Sequence, residues 1–221
     1  MQICTKRPMA RAMTIIAGLA CVSGPFAAPA SAGGLTVRVV DSAGQPVPDA
    51  IVTLRPANAV APRPHAESGL RVIQHDTRFS PFISIVPVGS TVAFPNLDPF
   101  RHHVYSFSAA KRFELKLVVR DQSRKVTFDK PGVVAIGCNI HDTMSAYIFV
   151  TDTVWTARAS SNGAATFRDT PAGSFTAQVW HPHQRAPGGT VAHKLTASTG
   201  GLRETFTIKL RRPPVHGTGG Y

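Results

Sequence analysis

Cysteine is scarce in this chain, which has three in 221 residues, namely Cys4, Cys21 and Cys138. The first two lie in an N-terminal segment, residues 1–32, that has the features of a secretory signal peptide. Loss of that segment leaves Cys138 alone, so the exported protein has no internal disulfide. Cys138 is therefore an intermolecular partner, a reactive thiol or a metal ligand.

The export signal is built from three features of residues 1–32. Basic residues without any acidic residue come first, an apolar run over 12–20 follows, and the small-x-small motif Ala30-Ser31-Ala32 closes the segment. We therefore expect a periplasmic or secreted protein. A rival hypothesis makes Cys21 a lipid-anchor cysteine, but Gly18-Leu19-Ala20 places glycine where such signals carry a large aliphatic residue.

Long apolar runs are also missing. A helix needs about 20 apolar residues to span a bilayer, and the sequence after residue 32 has no run near that length. We expect no transmembrane segment in the mature protein.

Acidic residues are few, with 12 Asp and Glu against 24 Lys and Arg, and the formal net charge is +12. Three of the basic residues lie in the signal, which leaves +9 for the mature chain. The basic residues are scattered in short pairs and form no helical stripe or aromatic-interleaved groove, so we expect no nucleic-acid partner. An acidic protein partner remains compatible with this charge.

Helical periodicity is almost absent, whereas short alternating runs bounded by Pro, Gly, Asn and Asp recur along the chain. The pattern predicts an all-β protein: a Greek-key β-sandwich in the middle, with a second, smaller β-sandwich from the flanking segments. The predicted strands cover 35–39, 51–54, 82–88, 90–94, 104–107, 113–119, 125–128, 133–138, 146–150, 156–158, 164–167, 174–180 and 204–210.

The flanking segments resemble the carboxypeptidase regulatory-like β-sandwich. The carrying motifs are Asp41-Ser42-Ala43-Gly44-Gln45-Pro46 between two strands, and Pro171-Ala172-Gly173-Ser174-Phe175 further on. The resemblance implies that the middle domain is inserted between the second and third strands of the outer one. The predicted organisation is a signal peptide (1–32), a first part of the outer sandwich (33–62), a middle domain (70–150), a second part (151–210) and a disordered tail (211–221).

The middle domain contains a dense group of metal-binding residue types, Cys138-Asn139-Ile140-His141-Asp142-Thr143-Met144. A blue-copper site takes two imidazoles and a thiolate in a trigonal set, with a weak thioether donor above it. Cys138, His141 and Met144 provide three of these donors from one loop. The remaining imidazole has to come from upstream, where His102 and His103 begin a predicted strand.

At these residues the chain resembles the cupredoxin family, and is most similar to the small cupredoxin-like proteins associated with methylamine utilization. The segment from Asn96 through Asp98 and His102 to Val104 matches the family's first-histidine pattern, and Cys138–Met144 matches its copper loop. The resemblance, over about residues 70–150, implies one copper ion held by the metal ligands His102, Cys138, His141 and Met144. This chain departs from the family's pattern in two places. His103 stands where many members have asparagine, and Val133–Gly137 replaces the aromatic residues that often precede the cysteine.

Several alternatives stay open on the residues alone. His102 is favoured as the upstream donor, but strand alternation could equally turn His103 inward. Cys138 could be an inert buried thiol, and zinc can take one thiolate and two imidazoles, although Met144 argues against zinc. The remaining candidates, His75, His181 and His183, are interpreted as surface or packing residues.

The resemblance implies a one-electron carrier that exchanges electrons with a redox protein such as a c-type cytochrome or a periplasmic dehydrogenase. An alternative function is a copper-binding protein that buffers or delivers copper without electron transfer. A third is a structural β module with a vestigial motif. No nucleophile elbow or paired-carboxylate motif is visible, so no enzyme is proposed. The sequence leaves the oligomeric state open.

Overall fold

The structure is a computed structural model that describes residues 34–198 and 200–211, together with Gln2. The predicted signal peptide, apart from Gln2, and the predicted tail from residue 212 onward lie outside the described residues. Within the described part, no helix is long or apolar enough to cross a membrane.

The regular secondary structure of the described chain is almost entirely β, and the all-β prediction is confirmed. The single helical element is a short 3-10 turn at Pro187–Gly189. The strands of the flanking segments are β1 (Leu35–Val40), β2 (Ile51–Pro56), β13 (Thr156–Arg158), β14 (Ala164–Phe167), β15 (Gly173–Trp180), β16 (Thr190–Ala197) and β17 (Leu202–Thr207). The strands between them are β3 (Leu70–Arg71), β4 (Ile73–His75), β5 (Arg78–Ser80), β6 (Ile83–Pro87), β7 (Thr91–Pro95), β8 (His102–Ser108), β9 (Lys111–Val118), β10 (Ser123–Thr127), β11 (Gly132–Cys138) and β12 (Ser145–Thr151).

The flanking strands pair with one another across the middle segment. One sheet has the order β14-β1-β17 and a second has the order β13-β2-β15-β16. Alternate side chains of both sheets enclose one apolar cluster, in which Val37, Val52, Phe167 and Ala177 are buried. Pairing of β1 with β14, and of β2 with β15, brings the two ends of the chain into one sandwich.

The middle strands form a second sandwich. A five-stranded sheet, β6-β12-β11-β8-β9, faces a three-stranded sheet, β10-β7-β3, and β4 and β5 form a separate hairpin. Phe94 from the smaller sheet and Val104, Ile136 and Ile148 from the larger one share a buried cluster, and this cluster includes Cys138. The crossover that places β8 beside β11 is typical of a Greek key, and it sets the start of β8 beside the end of β11.

The predicted strands lie within about two residues of the observed ones over most of the chain, but the structure has more strands than the alternation indicated. The short strands β3, β4 and β5 have two or three residues each, too few to show a period of two. The sequence of β16, TVAHKLTA, does not predict a strand, because only Leu195 and Ala197 of its eight residues are buried and the alternation is weak. The final strand begins at Leu202 and ends at Thr207, earlier than the predicted 204–210.

The two sandwiches contact each other through an aromatic group. Trp180 of β15 is buried with Ile51 of β2 and Ile83 of β6. Its ring lies 5.6 Å from that of Tyr147 and 5.7 Å from that of Phe149, both on the outer face of β12. The flanking sandwich therefore covers part of the outer face of the five-stranded sheet.

Candidate metal centre

Cys138 is the last residue of β11, and its loop is closed by backbone hydrogen bonds. The amide of Cys138 donates to the carbonyl of Met144 at 3.1 Å, and the amide of Met144 donates to the carbonyl of His141 at 2.9 Å. Cys138 alternates inward with the buried Val134 and Ile136 of the same strand. Its thiol therefore points into the core at the open end of the sandwich.

His102, the first residue of β8, is fully buried and lies beside this thiol. Its Nδ1 is 3.6 Å from Sγ of Cys138. A bulge separates the pair His102–Val118 from the pair Val104–Leu115, with the extra residue in β9, where Leu117 adopts a φ of 48°. The irregularity lies in β9, so β8 keeps its alternation and both His102 and Val104 point inward.

Asp98 holds the other side of the His102 ring. One oxygen, Oδ2, lies 2.7 Å from Nε2 of His102, and the pair is buried. A carboxylate at Nε2 places the ring proton there and leaves the Nδ1 lone pair facing the sulfur atom. The sequence pattern placed Asp98 in register with His102 but gave it no role, because the contact depends on a turn that the spacing alone does not specify.

Asp98 is itself anchored by a hairpin. It accepts hydrogen bonds from the amides of Asp76 at 2.7 Å and Thr77 at 3.1 Å, in the turn between β4 and β5. Burial raises the pKa of the Asp98 carboxyl, but the hydrogen bonds from His102, Thr77 and Asp76 lower it by more, so the pKa lies below its ordinary value. The carboxylate therefore stays ionised beside His102.

Asn96 shapes the turn that carries Asp98. Its side-chain amide donates to the carbonyls of Phe100 and Val118, both at 2.8 Å, and its Oδ1 accepts from the amide of Asp98 at 2.9 Å. Asn96 is fully buried. These three bonds fix the turn between β7 and β8 against the end of β9, and so fix the position of the Asp98 carboxylate.

His141 completes a group of three donors. The ligand atoms of His102, Cys138 and His141 all lie within 4.8 Å of one another, and residues 34–198 and 200–211 contain no other such group of three His, Cys, Asp or Glu. Nδ1 of His141 is buried and has no hydrogen-bond partner within the described chain. A buried imidazole nitrogen without a partner is costly unless it binds something.

A soft metal ion fits this donor set. One sulfur and two imidazole nitrogens lie within 4.8 Å of one another, and the unpartnered nitrogen of His141 has no partner among the described residues. Met144, the last residue of this loop, is also buried. Thiolate, imidazole and thioether donors together suit copper.

His103 lies on the opposite face of β8. Its Nε2 is 2.7 Å from Oε1 of Glu114 on β9. Partial loss of water raises the pKa of Glu114, but the hydrogen bond with His103 and the nearby Lys116 lower it by more, so the pKa falls below its ordinary value. The backbone carbonyl of His103 accepts from the amide of Asn139 at 3.0 Å. This backbone bond joins the two segments that carry His102 and Cys138.

The other predicted non-ligand histidines lie away from this group. His75 contacts Asp76 on the surface at 3.1 Å. The rings of His181 and His183 lie 5.5 Å apart in the flanking sandwich. Burial, with repulsion from His183, lowers the pKa of His181 to about 4.

The Asp98 contact gives a direct prediction. Asp98→Asn is expected to weaken copper binding by about 10- to 100-fold, since loss of an outer-shell carboxylate has effects of this size. Competition with a chromogenic copper chelator measures the affinity, and circular dichroism checks the fold. Asp76→Asn is the matched control, because the Asp76 side chain is exposed and only its backbone amide contacts Asp98. Equal affinities for the two variants would contradict the positioning role of Asp98.

Several solved structures are similar to part of this chain. A novel purple cupredoxin from Nitrosopumilus maritimus is 22% identical, and the match covers 37% of this chain and 99% of that one, with a TM-score of 0.34. A methionine-to-alanine mutant of amicyanin in its Cu(I) form is 20% identical over 45% of this chain and 98% of that one, with a TM-score of 0.35. A Cu-containing nitrite reductase from Thermus scotoductus SA-01 is 26% identical over 53% of this chain and 28% of that one, with a TM-score of 0.37.

A scan against protein-family models finds no match, and a search of the curated proteins finds none either. At TM-scores below 0.5, the structural likeness assigns no function to this chain. The functional inference therefore rests on the geometry of the site.

Proposed function

We propose that this protein is a type 1 copper protein that carries single electrons between redox proteins in the periplasm. The observation that carries the proposal is the arrangement around Cys138: Nδ1 of His102 faces Sγ, Asp98 holds the far side of that ring, and the buried Nδ1 of His141 lacks a partner. In the proposed site, His102, Cys138 and His141 would hold the ion as strong donors, and Met144 would add a weak thioether donor.

Copper bound by these residues would supply a one-electron couple between Cu(I) and Cu(II). The chain's own contribution is to hold the donors still. Asp98 fixes the His102 ring, strand pairing and the loop hydrogen bonds fix Cys138, and the ring of Phe100 packs against His141 at 5.3 Å. Donors that move little between the two oxidation states keep the reorganisation during electron transfer small.

The His141 side of the site offers a place for a partner to dock. Phe100, which contacts the His141 ring, is 42% exposed, and the neighbouring Ile140 is 47% exposed. Apolar side chains at the mouth of a site suit a brief contact with another protein. A c-type cytochrome or a periplasmic dehydrogenase is the proposed partner.

The same proposal includes the domain organisation. It consists of an export signal in residues 1–32, an outer sandwich at 33–62 and 151–210, and a copper domain at 70–150.

The proposal is tested by the spectrum of the copper-loaded mature protein. Addition of one equivalent of Cu(II) is expected to give an intense visible thiolate-to-copper charge-transfer band, together with the paramagnetic-resonance signal of a type 1 site. Parallel titration with Zn(II) measures the metal preference. A colourless copper complex, or a protein that retains zinc in preference to copper, would contradict the proposal.

Copper delivery is the second candidate function. It is favoured by an open groove of about 390 Å³ whose lining includes Cys138 and Met144. Against it, these two residues are only 3% and 1% exposed, which leaves an acceptor protein little access to the sulfur donors. Retention of copper for hours in the presence of a competing chelator would favour the carrier, and transfer within seconds would favour delivery.

A further inference from the structure

The donors of the proposed copper centre are buried, so they can be reached only through an opening in the surface. Cys138 is 3% exposed, Met144 is 1% exposed and His102 is fully buried. His141 is partly buried, and its Nδ1 is closed off from solvent. The His141 side and two grooves approach these donors, and their lining residues differ in charge and polarity.

The His141 side is covered by apolar groups. The ring of Phe100 lies 5.3 Å from the rings of both His102 and His141, and these two imidazoles are 5.2 Å apart. The neighbouring Ile140 adds a second exposed apolar side chain. A cation gives up hydration as it enters a protein, and apolar side chains offer nothing in its place. This side therefore suits contact with a protein better than the passage of an ion.

One of the two grooves carries a positive charge. It has a volume of about 470 Å³, and its lining extends from the β4–β5 hairpin to Met144. The charged residue of this lining is Arg78, which is exposed and makes no ion pair with another described residue. A guanidinium group repels a divalent cation that has to pass it. We name this opening the Arg78 groove.

The other groove carries a negative charge. It has a volume of about 390 Å³ and lies between β8, β11 and the loop 138–144. The charged residue of its lining is Asp142, which is exposed and makes no ion pair within the described chain. The buried Cys138 and Met144 also line it. This opening, which we name the Asp142 groove, connects a free carboxylate at the surface with both sulfur donors.

The rest of the lining of the Asp142 groove adds oxygen atoms. The hydroxyl groups of Tyr105, Ser108 and Ser145 belong to it. A Cβ atom at Gly137 would be 3.1 Å from the hydroxyl oxygen of Tyr105, so this ring forms the wall of the groove next to Cys138. Oxygen ligands suit hard, hydrated cations, whereas thiolate and thioether ligands suit copper. The donors therefore become softer from the surface to the site.

We propose that the Asp142 groove is the entry and exit route of the copper site, and that the Asp142 carboxylate attracts the approaching ion. This inference rests on the proposed function. Asp142 acts on the approach only, and the bound ion is held by His102, Cys138, His141 and Met144. Cysteine binds metals as the thiolate, so the thiol proton of Cys138 passes to water in the groove. No electron is transferred in this step.

Asp142→Asn tests the role of the carboxylate. Apoprotein is mixed with Cu(II) by stopped flow, and uptake is followed by the charge-transfer band and, independently, by the released proton with a pH indicator. The rate constant for uptake is expected to fall about fivefold at low ionic strength, the size of the attraction between a unit charge and a divalent ion in water, and by less in high salt. Release to an excess of chelator is expected to slow by the same factor, so that the affinity and the band stay unchanged.

The matched control for this variant is Asp169→Asn. Asp169 is an exposed aspartate of the connection between β14 and β15, and it has no ion pair among the described residues. Both rates are expected to stay at their wild-type values in this control. A loss of affinity in Asp142→Asn through faster release would make Asp142 a ligand, and would contradict its role on the approach.

A second variant narrows the groove without a change in charge. Ala135 is exposed on β11 and lines the groove, so Ala135→Phe is expected to slow uptake and release by a similar factor. The visible band and the reduction potential are expected to stay unchanged, because the ligands are untouched. Ala192→Phe is the matched control, since Ala192 is an exposed alanine of β16 in the flanking sandwich.

The entry route is overturned if Ala135→Phe takes up copper at the wild-type rate, and the role of the carboxylate is overturned if Asp142→Asn does so. Faster uptake in Arg78→Gln, together with an unchanged rate in Ala135→Phe, would place entry at the Arg78 groove. Faster uptake in Phe100→Ala with the same unchanged rate would place it on the His141 side. A wild-type protein that releases the proton on addition of Cu(II) but gives no charge-transfer band would instead overturn the proposed function, and its uptake rates would still test the route.

Discussion

Cys138→Ser is expected to abolish the visible charge-transfer band of the copper-loaded protein while the β-sandwich persists. The band requires a thiolate bonded to the metal, and no other cysteine lies in the part of the chain that the structure describes. A serine hydroxyl is a poor ligand for copper and stays protonated near neutral pH. Absorption spectroscopy after addition of Cu(II) measures the loss directly.

The fold is expected to survive this change. Burial of a hydroxyl in place of the thiol costs about 1–3 kcal/mol when the hydroxyl is poorly paired, which is less than the usual 5–15 kcal/mol of domain stability. Nδ1 of His102, 3.6 Å from the sulfur atom, also offers the serine a hydrogen-bond partner. Circular dichroism and thermal unfolding would record an intact β-sandwich with a modestly lower Tm.

A matched control for this experiment is Ser106→Cys. Ser106 is a buried residue of β8 on the same inward face as His102, so the variant restores a buried thiol at another position when combined with Cys138→Ser. The double variant is expected to stay colourless, because its thiol lies away from His141. A visible band of undiminished intensity in Cys138→Ser itself would show that the copper chromophore does not involve this cysteine, and would remove the basis of the proposed site.

The sequence predicted most of the long strands and the residue types at the site. Alternation located the long strands because one face of each is buried, and turn residues located their ends. The short strands β4 and β5 gave no such signal, although their turn supplies the two amides that anchor Asp98. The sequence therefore did not reveal how His102 is supported. That support depends on hydrogen bonds from Asp76 and Thr77 to Asp98, which lies 22 and 21 positions further along the chain.

The sequence pattern along one strand also could not show that the ring of Tyr105 lies against Gly137. Tyr105 and Gly137 are far apart in sequence and become neighbours only through the crossover that sets β8 beside β11. Likewise, the contact between Glu114 and His103 depends on the pairing of β8 with β9 and cannot be inferred from either strand alone. Features that arise from strand neighbours, rather than from the spacing along one strand, require the topology before they can be inferred.

The upstream donor is tested by a pair of adjacent substitutions. His102→Gln is expected to lower copper affinity more than about 100-fold, beyond the 10- to 100-fold typical of outer-shell changes, and to remove the type 1 spectrum. His102 faces Sγ of Cys138 and is fully buried, and glutamine keeps an N–H group for the carboxylate of Asp98. His103→Gln is expected to keep the spectrum and the affinity within about twofold, because the side chain lies on the face of β8 opposite His102 and changes away from a metal site have small effects.

The two substitutions are matched in residue type and lie side by side on β8, so a general effect on the strand would appear in both. Chelator competition measures the affinities, and paramagnetic resonance reports the donor set of each variant. If His103→Gln lost the type 1 signal while His102→Gln kept it, His103 would be the donor. That outcome would require β8 to shift its register by one residue, which would turn Val104 and Ser106 out of the core and break the pairing of Tyr105 with Gly137.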